Sequence, residues 1–215
     1  ARKLEFLNHA VEIAKTIKGS EMVGWQLTNP LNNARVPMYP ASFVEADSGT
    51  GIVMSVPAHA PYDYQALADL KNDTATQQKY GIAAVVEPVK IIESEGYSGI
   101  PAAEAIANVP ANSSGDRLEK ATSDLYSHEF YKGRMMMQNT GKYAGKPVSV
   151  AKEELKAEIA SSGLASVMYE LTNKPVRCRC GAECVVKLLN DQWFLNYGDK
   201  EWKALAHECI QKMDI

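Results

Sequence analysis

The sequence has no apolar run approaching bilayer-spanning length, and no opening of the kind that marks a secretory leader. Those two absences make a cytoplasmic protein the expectation. Excess positive charge is lacking too. The 23 Lys and Arg stand against 26 Asp and Glu, a net charge of -3, whereas a self-sufficient nucleic-acid binder carries a basic face. Cysteine is scarce and late, four residues with none before Cys178, and structural disulfides are not expected in a cytosolic chain. There is no internal repeat and no low-complexity tract. What remains is an ordinary globular composition, 46% apolar and 23% charged. Its 215 residues are enough for one large domain or one domain with an appendage. An opening at Ala1 without methionine reads as a piece of something longer.

One stretch organises the rest: Gly49-Thr50-Gly51-Ile52-Val53-Met54-Ser55-Val56-Pro57-Ala58-His59-Ala60-Pro61-Tyr62-Asp63. The two glycines permit a tight turn or a close ligand approach. Residues 52–56 are apolar and β-branched enough to read as a buried strand, which Pro57 should end. Pro61 suits the first position of a helix over about 62–71, with Leu67 and Leu70 turned to a core. The outline is strand, small-residue turn, helix, with His59 and Asp63 at an exposed rim. A first-turn Asp complements the helix dipole, about 0.3–1 kcal/mol, and His59 can be a hydrogen-bonded rim residue. The sharper reading is a carboxylate placed to receive a ligand ammonium, with an imidazole beside it.

Around that stretch, residues 11–17 alternate like a half-buried strand, and 22–27 read as extended. Thr28-Asn29-Pro30 and Asn32-Asn33 are turn chemistry before an edge strand at 36–40. Residues 72–79 read as a polar surface connection and 83–92 as an apolar strand region. Short helices are expected over 102–107 and from about 116 onward, where Asn112-Ser113-Ser114-Gly115-Asp116 gives start signals. Met135-Met136-Met137 reads as core filling. The clearest amphipathic helix spans 150–161, with Ala151, Leu155 and Ile159 on one face and Gly163 after its end. A last helix is expected over 199–213. Strands and helices in this irregular order give a mixed α/β fold with a curved sheet rather than a doubly wound one.

Cys178, Cys180 and Cys184 fall within seven residues, and Cys209 lies on the last helix. The turn Cys180-Gly181-Ala182-Glu183-Cys184 resembles half of a zinc ribbon, but Cys178-Arg179-Cys180 is tighter than the usual two-residue gap. Two readings stand: a structural zinc, and free thiols on a turn, the second favoured by that spacing.

Three stretches together carry a resemblance. GTGIVMSVPAHAPYD is similar to the signature of the editing domain of archaeal- and eukaryotic-type leucyl-tRNA synthetases. So are Gly19 onward (GSEMVGWQLTNPLNNARVPMYP) and Asp191-Gln192-Trp193-Phe194-Leu195-Asn196-Tyr197-Gly198, the latter resembling the segment that returns to the synthetase body. The resemblance implies a mixed α/β, β-barrel-cored editing domain decorated with helices, over 1–172, and a cysteine-containing return segment over 173–215. It also implies hydrolysis of the ester of mischarged tRNA(Leu) carrying norvaline, isoleucine or methionine. Asp63 and His59 would then be catalytic, with Asp63 holding the substrate ammonium and Thr50, Gly51, Met54, Ser55 and Val56 lining the substrate. Editing itself would need no cofactor and no covalent intermediate. ATP and magnesium would belong to the full synthetase, and any structural zinc to Cys178, Cys180 and Cys184. The implied partners are the aminoacylated 3' end of tRNA(Leu) and the rest of the synthetase chain, with no membrane and no DNA. The family's threonine-rich segment, which blocks leucine, has no match in 1–17 and is expected to precede it. Two alternatives remain open: a non-catalytic tRNA-end or protein-interaction module, and the equivalent domain of isoleucyl- or valyl-tRNA synthetase.

Overall fold

The computed structural model of the chain describes residues 2–46, 49–109, 116–173 and 175–213. The chain divides into two compact units, Ile13–Met168 and a second made of Ala1–Glu12 with Tyr169–Ile215.

The larger unit is built on helices. In chain order it holds α2 (Gly19–Met22), β1 (Gln26–Thr28), β2 (Arg35–Pro37), α3 (Pro61–Asn72), α4 (Thr74–Tyr80) and β3 (Ile92–Glu93). Then come α5 (Pro101–Asn108), α6 (Arg117–Lys132), β4 (Arg134–Met135) and α7 (Val148–Ser161). The second unit holds α1 (Arg2–Glu5) and α8 (Lys200–Gln211).

The core of the larger unit lies where α5 and α6 meet, with α3 packed on both. Ala102, Ala105, Val109, Ala121 and Leu125 are buried together, with Tyr64, Tyr97, Ile100 and Ile106 packed around them. Small residues on α5 let α6 approach closely, so Leu125 is fully enclosed. Helix starts follow local chemistry. Pro61 and Pro101 open α3 and α5, where a missing N–H costs nothing. Asp116 caps α6 by accepting the Leu118 N–H at 2.8 Å. It also accepts the Tyr62 hydroxyl at 2.6 Å, fastening the start of α3 to the start of α6. The other start signals, at 112–115, lie outside the described residues.

The ladders are short. β1 pairs antiparallel with β2 (Leu27 opposite Val36), joined by the turn in which Asn29 Oδ1 accepts the Leu31 N–H. β3 pairs with β4 (Ile92 opposite Met135), and the Met136 N–H extends the pair to Ile91 O at 2.9 Å. The mixed α/β character therefore stands. Among the described residues these two pairs form no closed barrel.

Several expected elements differ. Residues 11–17 form no strand and are largely exposed, since nothing pairs with them. Residues 52–56 likewise join no ladder, and Met54 is 62% exposed rather than buried. Of 83–92 only the end pairs. The polar stretch 72–79 is mostly α4. Asp73 caps it through the Thr76 N–H at 3.0 Å, and Gly81, at φ 64, ends it. Met135 and Met136 are half-buried, but Met137 is 78% exposed and fills no core.

In the second unit, the Leu188 N–H donates to Phe6 O at 2.8 Å and the Lys187 ammonium lies over the Phe6 ring. A hairpin over 176–184 pairs Arg177 with Glu183. α8 starts at an Asp199 cap on the Trp202 N–H, 2.8 Å away.

Candidate functional site

The site is built on the turn between 52–56 and α3. Ala58, His59 and Ala60 are all buried, although two of them are only alanines and the third is polar. Three neighbours clamp this turn. The Ala102 N–H at the start of α5 donates to Ala58 O at 3.0 Å. The Ile91 N–H donates to His59 Nε2 at 2.9 Å. Glu129, on α6, lies 2.7 Å from His59 Nδ1. Because Nε2 accepts, the proton of a neutral imidazole must sit on Nδ1 and point to the Glu129 carboxylate. His59 is 5% exposed and Glu129 3%, so this is an interior pair and His59 is not a rim residue.

That clamp sets where α3 begins, and hence where Asp63 stands. Ala60, at the cap position of α3, has no side chain able to bond the free N–H groups. Asp63 instead reaches back, and its Oδ2 accepts the Val56 N–H at 2.6 Å. The second oxygen takes no partner among the described residues. Nor is it sealed in, since Ser94 Oγ is the one unpartnered buried side-chain polar atom among them. Asp63 as a whole is 8% exposed. The result is a fixed carboxylate with one oxygen committed to the backbone and one without a partner among the described residues.

The other expected residues precede Val56 in the chain. Thr50 and Gly51 make the turn into 52–56, with Thr50 Oγ1 donating to Ile52 O at 2.9 Å. Gly51 has φ +73, and a Cβ there would lie 2.8 Å from Ala46 O, so only glycine fits. The main-chain groups of Val53, Met54 and Ser55 make no hydrogen bond among the described residues. Those three residues are exposed, so their N–H and C=O groups are open to a ligand. The structure thus joins Asp63 directly to Val56, and residues 50–55 run into that bond along the chain. It couples His59 to Glu129 instead.

Two nearby residues escaped the sequence reading. Glu129 follows Ala121 and Leu125 at helical spacing on the buried face of α6, and a carboxylate interrupting an apolar stripe signals a buried partner. Tyr126 also belongs here. Partial burial, then the charges of Asp63 and Glu129, push its phenol above the ordinary range.

Cys178, Cys180 and Cys184 share the 176–184 hairpin, while Cys209 lies on α8. No three His, Cys, Asp or Glu side chains gather as a metal-binding group among the described residues. That arrangement does not fit a tetrahedral zinc. Among the described residues, no helix is long and apolar enough to cross a membrane.

Comparison with known proteins bears on the family. The family model for "Leucyl-tRNA synthetase, editing domain" matches residues 7–114, the segment that contains residues 50–56, His59 and Asp63 but not Tyr126 or Glu129. A leucine–tRNA ligase of Methanococcus maripaludis is 44% identical over 217 residues, covering 100% of this chain and 22% of that protein. The ligase of Archaeoglobus fulgidus is 44% identical over 99% of this chain and 23% of its own length. The chain therefore spans under a quarter of the curated relatives it matches. Among solved structures, that of GlLeuRS-CP1 superposes with a TM-score of 0.62 at 27% identity, over 72% of this chain and 61% of that one. The cytosolic leucyl-tRNA synthetase editing domain of P. knowlesi superposes with a TM-score of 0.59 at 20% identity, over 68% and 50%. At that lower identity the likeness speaks for the fold alone. With the fold, the site-bearing segment and the full-length sequence similarity in agreement, the chain belongs to the leucyl-tRNA synthetase editing-domain family.

Proposed function

We propose that this chain hydrolyses the ester of mischarged tRNA(Leu) as the editing part of a cytoplasmic leucyl-tRNA synthetase. The carrying observation is Asp63, whose carboxylate is held by the Val56 N–H on one oxygen and, among the described residues, left without a partner on the other. An aminoacyl ester presents a free ammonium, and a fixed carboxylate is its charge-assisted partner. Sequence similarity across the whole chain to leucine–tRNA ligases supports the substrate class.

The need for such a step is physical. One methylene changes binding in an apolar pocket by only ~1–3 kcal/mol, so a synthetic site cannot by itself reject norvaline, isoleucine or methionine sharply enough. In this reading Asp63 anchors the ammonium, and the open main-chain groups of Met54 and Ser55 hold the acyl group and terminal ribose. A water then adds to the ester carbon, the bond to the ribose oxygen breaks, and that oxygen leaves as the 3'-terminal hydroxyl after taking a proton. No side-chain nucleophile is involved. With both ring nitrogens engaged, His59 acts as a positioning residue that holds the turn beneath the substrate.

The same reading assigns the remaining parts. Residues 52–56 and 83–90, which join no ladder among the described residues, contribute to a β-barrel core completed by segments outside this chain. Residues 173–215 form the return segment toward the synthetase body. ATP and magnesium serve that body, and editing uses neither. The partners are the aminoacylated tRNA end and the rest of the synthetase.

The test is to incubate norvalyl-tRNA(Leu) with a synthetase carrying this chain and follow the ester. Loss of the ester is expected. Binding of the charged end with the ester intact would favour a non-catalytic module instead.

A further inference from the structure

The cysteine hairpin has no part in the proposed hydrolysis and, among the described residues, belongs to no metal-binding group; its geometry suits another chemistry. Cys178 and Cys180 occupy the first and third positions of a turn closed by the Gly181 N–H on Cys178 O at 2.8 Å. Gly181, at φ 86, takes the left-handed conformation that sends the chain back. Flanking bonds, Cys178 N–H to Ala182 O and Cys184 N–H to Val176 O, both 2.8 Å, hold the turn on a short ladder. The two thiols are thereby fixed one residue apart, and both are exposed, whereas Cys184 is half-buried. The neighbouring Cys180 main chain and thiol, with the Arg179 main chain, draw the Cys178 thiol below its ordinary range. Such neighbours favour the thiolate, the form that attacks disulfides.

We propose that Cys178 and Cys180 form a reversible dithiol–disulfide site on this turn, oxidised by low-molecular-weight disulfides. The Cys178 thiolate attacks one sulfur of such a disulfide. A mixed S–S bond forms, the oxidant's own S–S bond breaks, and the departing thiolate takes up the proton that Cys178 gave to solvent. Cys180 then attacks the Cys178 sulfur, forming the internal bridge and releasing the second small thiol. Two protein thiols are oxidised and one disulfide is reduced to two thiols. A bridge closed over a single residue is strained and exposed, properties of labile rather than structural disulfides.

The test is to expose the 215-residue chain to oxidised glutathione, quench with acid, alkylate the remaining thiols and map the peptides by mass. The peptide holding Cys178 and Cys180 should lose two hydrogens and recover them on reduction, while Cys209 stays alkylated. Cys180→Ser should stop at a glutathione adduct on Cys178, and Cys178→Ser should lose the bridge. A bridge that instead uses Cys184 or Cys209 would overturn the assignment. So would an unchanged adduct on Cys180 in Cys178→Ser, or thiols that stay inert until a chelator removes stoichiometric zinc.

Discussion

Asp63 does two jobs with two oxygens, and the substitutions that separate them are simple. Asparagine keeps a carbonyl able to accept the Val56 N–H but removes the charge. Alanine removes both, leaving a main-chain N–H without its acceptor at a cost of ~1–3 kcal/mol. Asp63→Asn should therefore unfold in denaturant near the wild-type midpoint, with Asp63→Ala clearly lower. Glu129 is judged the same way. Glutamine can still accept the His59 Nδ1–H, whereas Glu129→Ala strands that donor in the interior, again ~1–3 kcal/mol by chemical denaturation. Equal losses for the two Glu129 variants would mean that the carboxylate, not the hydrogen bond, holds the turn. Of these residues Asp63 was singled out in the sequence through the motif that carries the resemblance, while its bond to the Val56 N–H was not foreseen. Glu129 was not singled out. Its partner lies seventy residues away, and only the odd charge on an apolar helix face hinted at it.

Elements that carry their own signals were read well, and those that need a partner were not. α3, α5, α6, α7 and α8 announce themselves by proline starts, Asp caps and apolar spacing. α4 was missed because it buries nothing and shows no apolar stripe, although Asp73 and Gly81 bracket it. The stretches 11–17 and 52–56 have strand composition, yet a strand exists only where a neighbour completes the ladder. At the α5–α6 contact Leu125 is fully enclosed by small residues, so Leu125→Ala should cost ~2–5 kcal/mol in thermal or denaturant unfolding. The Tyr62–Asp116 bond joins two helix starts and has a pH signature. Its hydrogen bond to Asp116, with burial, raises the Tyr62 phenol from 10.0 to about 12. A raised value in the folded state means that its contribution is complete below 10.0 and is lost as pH climbs toward about 12. Tyr62→Phe should flatten the fall in stability across that alkaline window. A fall as steep as wild type would place the titration elsewhere.

At the scale of the whole molecule, a well-packed helical unit presents an apolar segment, 52–56, that the described residues leave uncovered. The same segment carries open main-chain groups next to a half-committed carboxylate, which is why the site and the unpaired strand coincide. The family's order of segments, 19–40, 49–63 and 191–198, was legible because those motifs are local in sequence. How far the sheets extend was not, since a ladder depends on a neighbour far away in the chain and, among the described residues, 11–17 and 52–56 find none. The central claim is that the Asp63 charge holds the substrate ammonium. It is tested most directly by the rate at which a leucyl-tRNA synthetase carrying this chain clears norvalyl-tRNA(Leu), wild type against Asp63→Asn. The expected result is loss of clearance by the variant with leucylation and unfolding midpoint retained. The loss should be on the scale of ~2–5 kcal/mol, that of truncating one partner of a buried hydrogen-bonded charge pair. An Asp63→Asn enzyme that clears the mischarged tRNA at the wild-type rate would contradict it and leave Asp63 as a helix-start residue alone.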